Sequence, residues 1–421
     1  MLGHSSQNTS NIPLFDSLSN ENKYFIIQKA NEFNLTYQDK RNLTIIALDF
    51  EMWDIGLLKD IWDQSGITEL KGKNRKQKVL SRIREYWLSL KYSVTDYPNT
   101  DISDDISKNG LPIPSIKATN GDILGWCPVA SPKTRCCNLR TLDVVINCGF
   151  SCNYCSIQHF YHNNSIYIQR DLQKRLDNLN LSKDTIHHIG TGQSSDSLMW
   201  GNNRGLLDTL FKFAYDNPHV ILELKSKSSN TSYLEKNEIP HNILITWSLN
   251  TDIIISNEEK GTAPLNERID AAKRIADKGA LVGFHFHPII YYKGWKKDYT
   301  EIVHKLLDLF SPEQVAMVSL GTLTFIKPII HSLRKHKIKT RTLQIPLEPI
   351  EGKYSYSFNI KKELFSTLYR EFSQWHDNVF FYMCMEDKNL WLPVFGREYD
   401  NNEEFELDMK NFYMEKIKNI T

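Results

Sequence analysis

Asn147-Cys148-Gly149-Phe150-Ser151-Cys152-Asn153-Tyr154-Cys155 directly follows the apolar run Leu142–Ile146 and sets its cysteines in C-x-x-x-C-x-x-C spacing. A loop leaving the C-terminal end of a barrel strand is where such folds build active sites. Three thiolates can ligate three irons of a cubane and leave the fourth iron without a protein ligand. That open iron can chelate the amino and carboxylate groups of S-adenosylmethionine and pass one electron to its sulfonium, so that the cofactor carries the hard chemistry. The competing reading is a structural zinc site completed by Cys127, Cys136, Cys137 or a histidine, because closed zinc sites need four ligands. Structural zinc sites commonly pair two short cysteine knuckles, whereas here an aromatic precedes the last cysteine and a βα pattern follows, which favours the cluster. Cys127, Cys136, Cys137 and Cys384 read as buried small apolar residues.

From about Thr141 onward, short apolar runs alternate with longer amphipathic segments, the pattern of βα units around a parallel sheet. The expected strands are Leu142–Ile146, Ile186–Ile189, Val220–Leu224, Ile243–Ser248, Leu281–Pro288 and Val315–Leu320, with Asn266–Lys278 and Tyr299–Phe310 as the clearest helices. Six units make a partial barrel, and a strand at Val379–Met385 after a helix at Lys361–His376 closes or extends it. The expected division is a tail over 1–20, a helical unit over 21–92, a linker over 93–125, the barrel over 126–345 and a C-terminal α/β extension over 346–421. Helical spacing of apolar residues marks Tyr24–Phe33 and Leu43–Leu58 in the first unit. The basic run Lys71, Lys73, Arg75, Lys76, Lys78, Arg82 and Arg84 suits either a solvated helix face or a track for DNA phosphates.

Among the 421 residues, 51 Lys and Arg nearly balance 50 Asp and Glu, so no global basic excess announces nucleic acid. Hydrophobic residues at 41% and charged residues at 24% exclude wholesale disorder and a membrane-embedded chain. The first residues lack a basic stretch followed by an apolar one, and the seven cysteines are odd in number, so a reducing, cytoplasmic setting is expected.

Beyond the triad with Tyr154, an ordered series of motifs resembles the spore photoproduct lyase family and its lyase-like radical S-adenosylmethionine relatives. The series is Gly190-Thr191-Gly192-Gln193-Ser194-Ser195-Asp196, Glu223-Leu224-Lys225-Ser226-Lys227 and Trp247-Ser248-Leu249-Asn250. It continues with Gly261-Thr262-Ala263, Glu267-Arg268, Gly283-Phe284-His285-Phe286-His287-Pro288-Ile289, Gly294-Trp295 and Phe325-Ile326-Lys327-Pro328. The resemblance covers roughly residues 120–400 and implies a partial (β/α)6 barrel of the TIM type, a 4Fe–4S cluster on Cys148, Cys152 and Cys155, and S-adenosylmethionine. It implies a 5′-deoxyadenosyl radical that abstracts hydrogen from a thymine-dimer lesion in DNA, fed by an electron donor such as flavodoxin or ferredoxin. By the same resemblance Lys227, Ser248 and Asn250 contact S-adenosylmethionine, with Ser194 or Ser195 near it, and Tyr154 relays a hydrogen atom. His285 and His287 alternate on one side of a strand and are expected to line the substrate side as catalytic residues.

Two positions depart from the family. Gln193 stands where the family carries a cysteine that returns hydrogen to the product, and Ser156 stands where it carries a second tyrosine. An amide has no weak S–H bond to give. A radical enzyme of the same fold with a non-DNA substrate, and a non-catalytic DNA-binding protein with a structural metal, are therefore the alternatives.

Overall fold

Runs rich in Val, Ile and Leu form strands buried on both faces, and amphipathic stretches between them form the crossover helices that parallel strands require. The computed structural model, which describes residues 11–64, 74–98, 114–117, 123–127, 133–161 and 165–420, follows this rule. Its main sheet has eight strands: β1 (Leu124–Trp126), β2 (Arg140–Leu142), β3 (His187–Thr191), β4 (Val220–Ser226), β5 (Ile243–Ser248), β6 (Val282–Ile289), β7 (Val315–Thr322) and β8 (Phe380–Met383). Each strand pairs with its neighbour in the chain, from β1 at one edge to β8 at the other. All pairings are parallel except β1 with β2. The result is a curled, open half-barrel whose outer face is apolar, with Leu222, Leu224, Ile245, Trp247, Phe284 and Val318 all buried. Helix Leu206–Asp216 lies against β4 and helix Leu265–Asp277 against β5 and β6.

Several elements differ from the expectation. The run Leu142–Ile146 does not stay in one strand: β2 ends at Leu142, and Val145–Ile146 pairs instead with Ile166–Gln169 in a separate small sheet. The chain thereby leaves the barrel early and delivers the triad loop above it. The helix expected to run to Leu58 stops at Met52, because Asp54 (φ 58°) and Gly56 (φ 127°) adopt left-handed backbone, and a new helix starts at Leu58. Residues 346–421 are no mere extension, since β8 completes the sheet. Helix Asn402–Asn419 packs on its inner face with Tyr413 edge-on to His188, ring centroids 5.5 Å apart.

The linear division also runs differently from the compact units. One unit joins residues 1–97, 291–293 and 324–355; the other joins 98–290, 294–323 and 356–421. In the first, helices Asn20–Phe33, Tyr37–Met52, Leu58–Gln64 and Arg75–Tyr92 accompany the helix Lys327–Lys335, which the sequence assigned to the barrel. Of the basic run, Lys71 and Lys73 lie outside the described residues, while Arg75 pairs with Glu32 (3.5 Å) and Lys76 with Asp39 (2.8 Å). Lys78 and Arg84 are exposed. No helix of the described residues is long and apolar enough to cross a membrane.

Asp49, fully buried, organises the first unit: its carboxylate accepts both Arg334 nitrogens at 2.7 and 2.8 Å and the Trp87 indole N–H at 2.9 Å. Removing one partner of a buried pair strands the other charge, so Asp49→Ala should lower unfolding stability by about 3 kcal/mol in urea titrations. A loss below about 0.5 kcal/mol would mean that the pair is not enclosed as described.

Candidate active site

The triad loop is fastened on both sides. Ser151–Cys152 pairs antiparallel with Glu259–Lys260, and the Asn153 backbone N–H donates to the Glu258 carbonyl at 2.8 Å. The Asn153 amide donates to the Glu258 carboxylate at 2.9 Å. Inside the loop the Phe150 N–H points at Cys148 Sγ (3.4 Å) and the Cys155 N–H at the Cys152 carbonyl (3.0 Å). None of the three cysteines is in a disulfide. Burial pushes all three thiols up, Cys148 to about 12, so metal binding must drive their deprotonation.

Among the described residues no three His, Cys, Asp or Glu side chains converge tightly enough to share one metal ion. Three free thiols carried on one loop are the donor chemistry that three irons of a cubane take.

Below the loop lies a buried charge network. Glu259 meets Arg268 at 2.7 Å and Lys227 at 2.8 Å, and accepts from Asn250 at 3.2 Å and from the Tyr154 hydroxyl. Burial opposes ionisation, yet the Lys227 and Arg268 charges win and hold the Glu259 carboxyl at about 2. Arg268 donates also to the Ala263 and Ser248 carbonyls and the Thr262 hydroxyl. Two cations around one carboxylate leave one net positive charge facing the triad, which suits an anionic cluster or the carboxylate of a cofactor. Lys227 also donates to the Tyr154 hydroxyl at 3.0 Å, and burial together with Glu259 keeps that phenol protonated.

The expected cofactor contacts divide into committed and available groups. Asn250 is fully enclosed and committed: besides Glu259 it donates to the Pro288 carbonyl (3.2 Å) and accepts from the Tyr299 hydroxyl (2.6 Å) and the Thr251 N–H (3.0 Å). Ser194 is likewise engaged, its hydroxyl directed at Asp143 (2.7 Å) and the Val145 carbonyl (2.9 Å). By contrast Ser195 Oγ is buried with no partner, and the buried Ser248 makes no side-chain hydrogen bond among the described residues. The unpaired, enclosed Ser195 hydroxyl is costly and is a place a ligand would complete, and Ser248 offers a second uncommitted hydroxyl. Gln193 is half-buried beside them. Gly192 has φ +88°, and a Cβ there would meet the Lys225 carbonyl at 2.7 Å, so the turn that brings Gln193 and Ser194 forward requires glycine.

Sequence reasoning gave Glu259, Asp196 and Glu223 no role. Asp196 accepts from the Ser226 hydroxyl (2.8 Å) and the Lys227 N–H (2.7 Å), and so joins β4 to the loop after β3. Glu223 lies on the interior face and receives His188 at 2.9 Å, His285 at 2.7 Å and Thr246 at 2.8 Å. The two histidines therefore carry their protons on Nε2 and leave both buried Nδ1 atoms unpartnered. Burial opposes the Glu223 charge, but those histidine bonds pull its carboxyl well below the usual range. His287 meets the Ser319 hydroxyl at 2.8 Å, with its ring 5.0 Å from that of His285. Burial, reinforced by the Lys225 charge, lowers both rings, His285 to about 4.

The family pattern described as "Spore photoproduct lyase" matches residues 141–365. A spore photoproduct lyase of Clostridium acetobutylicum is 25% identical over 179 residues, 41% of this chain and 53% of that protein. One of Bacillus subtilis is 36% identical over 98 residues, 23% of this chain and 28% of that protein. The chain thus spans about half, or less, of the length of these curated relatives. A solved spore photoproduct lyase complexed with dinucleoside spore photoproduct superposes with a TM-score of 0.55 at 18% identity, covering 72% of this chain and 94% of that one, and shares the fold.

Because His285 drops from its ordinary 6.5 to about 4 on folding, the unfolded chain binds its proton first as pH falls. Its contribution is intact above 6.5 and is lost progressively toward 4, about 2 kcal/mol between pH 7.5 and pH 5. Urea titrations at those two pH values should show His285→Gln with a pH slope smaller by that amount, while the share of His287 stays. Equal slopes would mean that the ring is protonated in the fold.

Proposed function

The chain belongs to the spore photoproduct lyase family, and from that premise we propose that it is a radical S-adenosylmethionine lyase acting on a thymine-dimer photoproduct in DNA. One observation carries the proposal: the three-cysteine loop, which carries Tyr154, is held through Glu259 against Lys227 at the C-terminal mouth of a parallel half-barrel. Catalytic groups of such folds come from strand ends at that mouth.

In this reading Cys148, Cys152 and Cys155 hold a 4Fe–4S cluster, which when bound supplies the electron for reductive cleavage of S-adenosylmethionine to a 5′-deoxyadenosyl radical. Lys227, already paired to Glu259, presents its remaining N–H to the methionine carboxylate, and Ser195 and Ser248 offer their unpaired hydroxyls. Asn250 and Ser194 act one step back: the first holds Glu259 and Tyr299, the second holds the segment that precedes the triad. Tyr154 keeps its phenolic hydrogen, fixed between Lys227 and Glu259, as the relay group on the triad side. His285 and His287 stay neutral and line the interior toward the substrate, with Glu223 fixing the tautomer of the first. Gln193, in place of a thiol, directs hydrogen return to another donor. The electron is supplied by a small redox protein of the flavodoxin or ferredoxin class.

Anaerobic reconstitution with iron and sulfide, followed by dithionite and S-adenosylmethionine, tests this. Release of 5′-deoxyadenosine should require the cluster, should increase with ultraviolet-irradiated DNA, and should vanish in Cys152→Ala. Release indifferent to damaged DNA would remove the lesion from the reading, and no release from the wild-type protein would remove the radical chemistry.

A further inference from the structure

The helix Leu172–Asp177 and the first turn of the helix Leu206–Asp216 border an open cavity of about 610 Å³, separate from the triad loop. Three cations line it, Arg170, Lys174 and Arg204. All three are exposed, and none has a hydrogen bond or an ion pair through its side chain among the described residues. Two carboxylates share the lining: Asp177 accepts the Gln173 amide at 2.7 Å, and Asp171 follows Arg170 in the chain. Three positive charges against two negative ones leave one positive charge in excess, carried by groups whose N–H donors are unspent. Asp171 (φ 53°) and Arg204 (φ 60°) are held in left-handed backbone, a costly conformation for residues other than glycine that persists only where the surrounding structure fixes it.

The sheet sets where this cavity lies. β2 and β3 are parallel neighbours, so the segment after β2, which carries the cysteines, and the segment after β3, which leads to Arg204, leave the sheet at the same end. Gln169, in the cavity wall, donates its amide to the Asp143 carbonyl at 3.1 Å, and the Asp143 carboxylate accepts from the Ser194 hydroxyl at 2.7 Å. One residue, Asp143, thus joins the cavity wall to the loop of Ser194 and Ser195.

We infer that this cavity binds the sugar–phosphate backbone of the DNA strand that flanks the lesion. This rests on the lesion reading given under Proposed function. Guanidinium forks pair with two phosphate oxygens at once, an ammonium adds a point charge, and contacts of this kind hold a strand in place without reading its bases. A single small anion needs one of the three cations, whereas a strand that brings successive phosphates past the mouth engages all of them. The excess of only one charge keeps the hold local to the cavity, in a chain whose 51 basic and 50 acidic residues give no general attraction for DNA.

The test uses the full chain and a fluorescent, undamaged single-stranded oligonucleotide, titrated by anisotropy over a range of salt. Arg170→Gln combined with Arg204→Gln should weaken binding about tenfold at about 0.1 M salt and make the logarithmic salt dependence shallower by about 1.4, two phosphate contacts at roughly 0.7 each. Lys362→Gln combined with Lys388→Gln, at exposed lysines that do not line the cavity, should change neither quantity. The cavity variant should keep the 5′-deoxyadenosine release elicited by a dinucleotide lesion, which brings no flanking strand, while the half-saturating concentration of a lesion-bearing oligonucleotide rises about tenfold. Equal losses in the two double variants overturn the proposal, as does a cavity variant that binds the strand like the wild-type protein. Calorimetric binding of inorganic phosphate by a wild-type protein that leaves the strand unbound also overturns it. If the wild-type protein releases no 5′-deoxyadenosine with either lesion, the lesion reading fails, and the undamaged strand alone decides the cavity.

Discussion

A single buried carboxylate, Glu259, ties the functional parts of this protein together. It is the one acidic group to which Arg268, Lys227, Asn250 and Tyr154 all connect, and its own backbone pairs with Cys152. Burying that much charge is tolerable only because every member is satisfied by another. The consequence is positional. The segment carrying the cysteines has little secondary structure of its own, so its place above the sheet is set by the two-residue ladder to Glu259–Lys260 and by the side-chain bonds of Asn153. A half-barrel supplies the rigid strand ends, and one ion network turns a loop into a site.

A second carboxylate, Glu223, does the same inside the barrel. It fixes two histidine rings, each of which presents Nε2 to its carboxylate. Glu223, Thr246 and His285 therefore share the interior face while Leu222, Leu224, Ile245, Trp247 and Phe284 are buried on the outer one, a separation that follows from the two-residue alternation of side chains. Helix Asn402–Asn419 sets Tyr413 edge-on to His188 and to Phe380.

The parts of this arrangement written in local sequence were legible. Short Val- and Ile-rich runs separated by amphipathic segments disclosed the parallel half-barrel, and the spacing of Cys148, Cys152 and Cys155 singled out the loop that Glu259–Lys260 pairs with. What escaped were features that depend on distant partners. Glu259 follows another glutamate in a stretch that reads as surface, and only the fold brings Arg268 and Lys227 to it. Asn250 was picked out by the family resemblance alone, and sequence could not show that its polar atoms engage Glu259, Tyr299 and nearby backbone. The split of Leu142–Ile146 into two sheets was hidden because apolar runs look alike whichever sheet they join. The assembly of residues 324–355 with the N-terminal helices was hidden because the pairing of Arg334 with Asp49 spans most of the chain.

The central claim is that this loop holds a cluster with one iron open to S-adenosylmethionine. Electron paramagnetic resonance of the anaerobically reconstituted, reduced protein, recorded before and after adding S-adenosylmethionine and paired with metal and sulfide analysis, tests it most directly. The account predicts about four irons and four sulfides per chain and a reduced-cluster signal that changes on adding S-adenosylmethionine. Zinc in place of iron, or an iron–sulfur signal indifferent to S-adenosylmethionine, would contradict it.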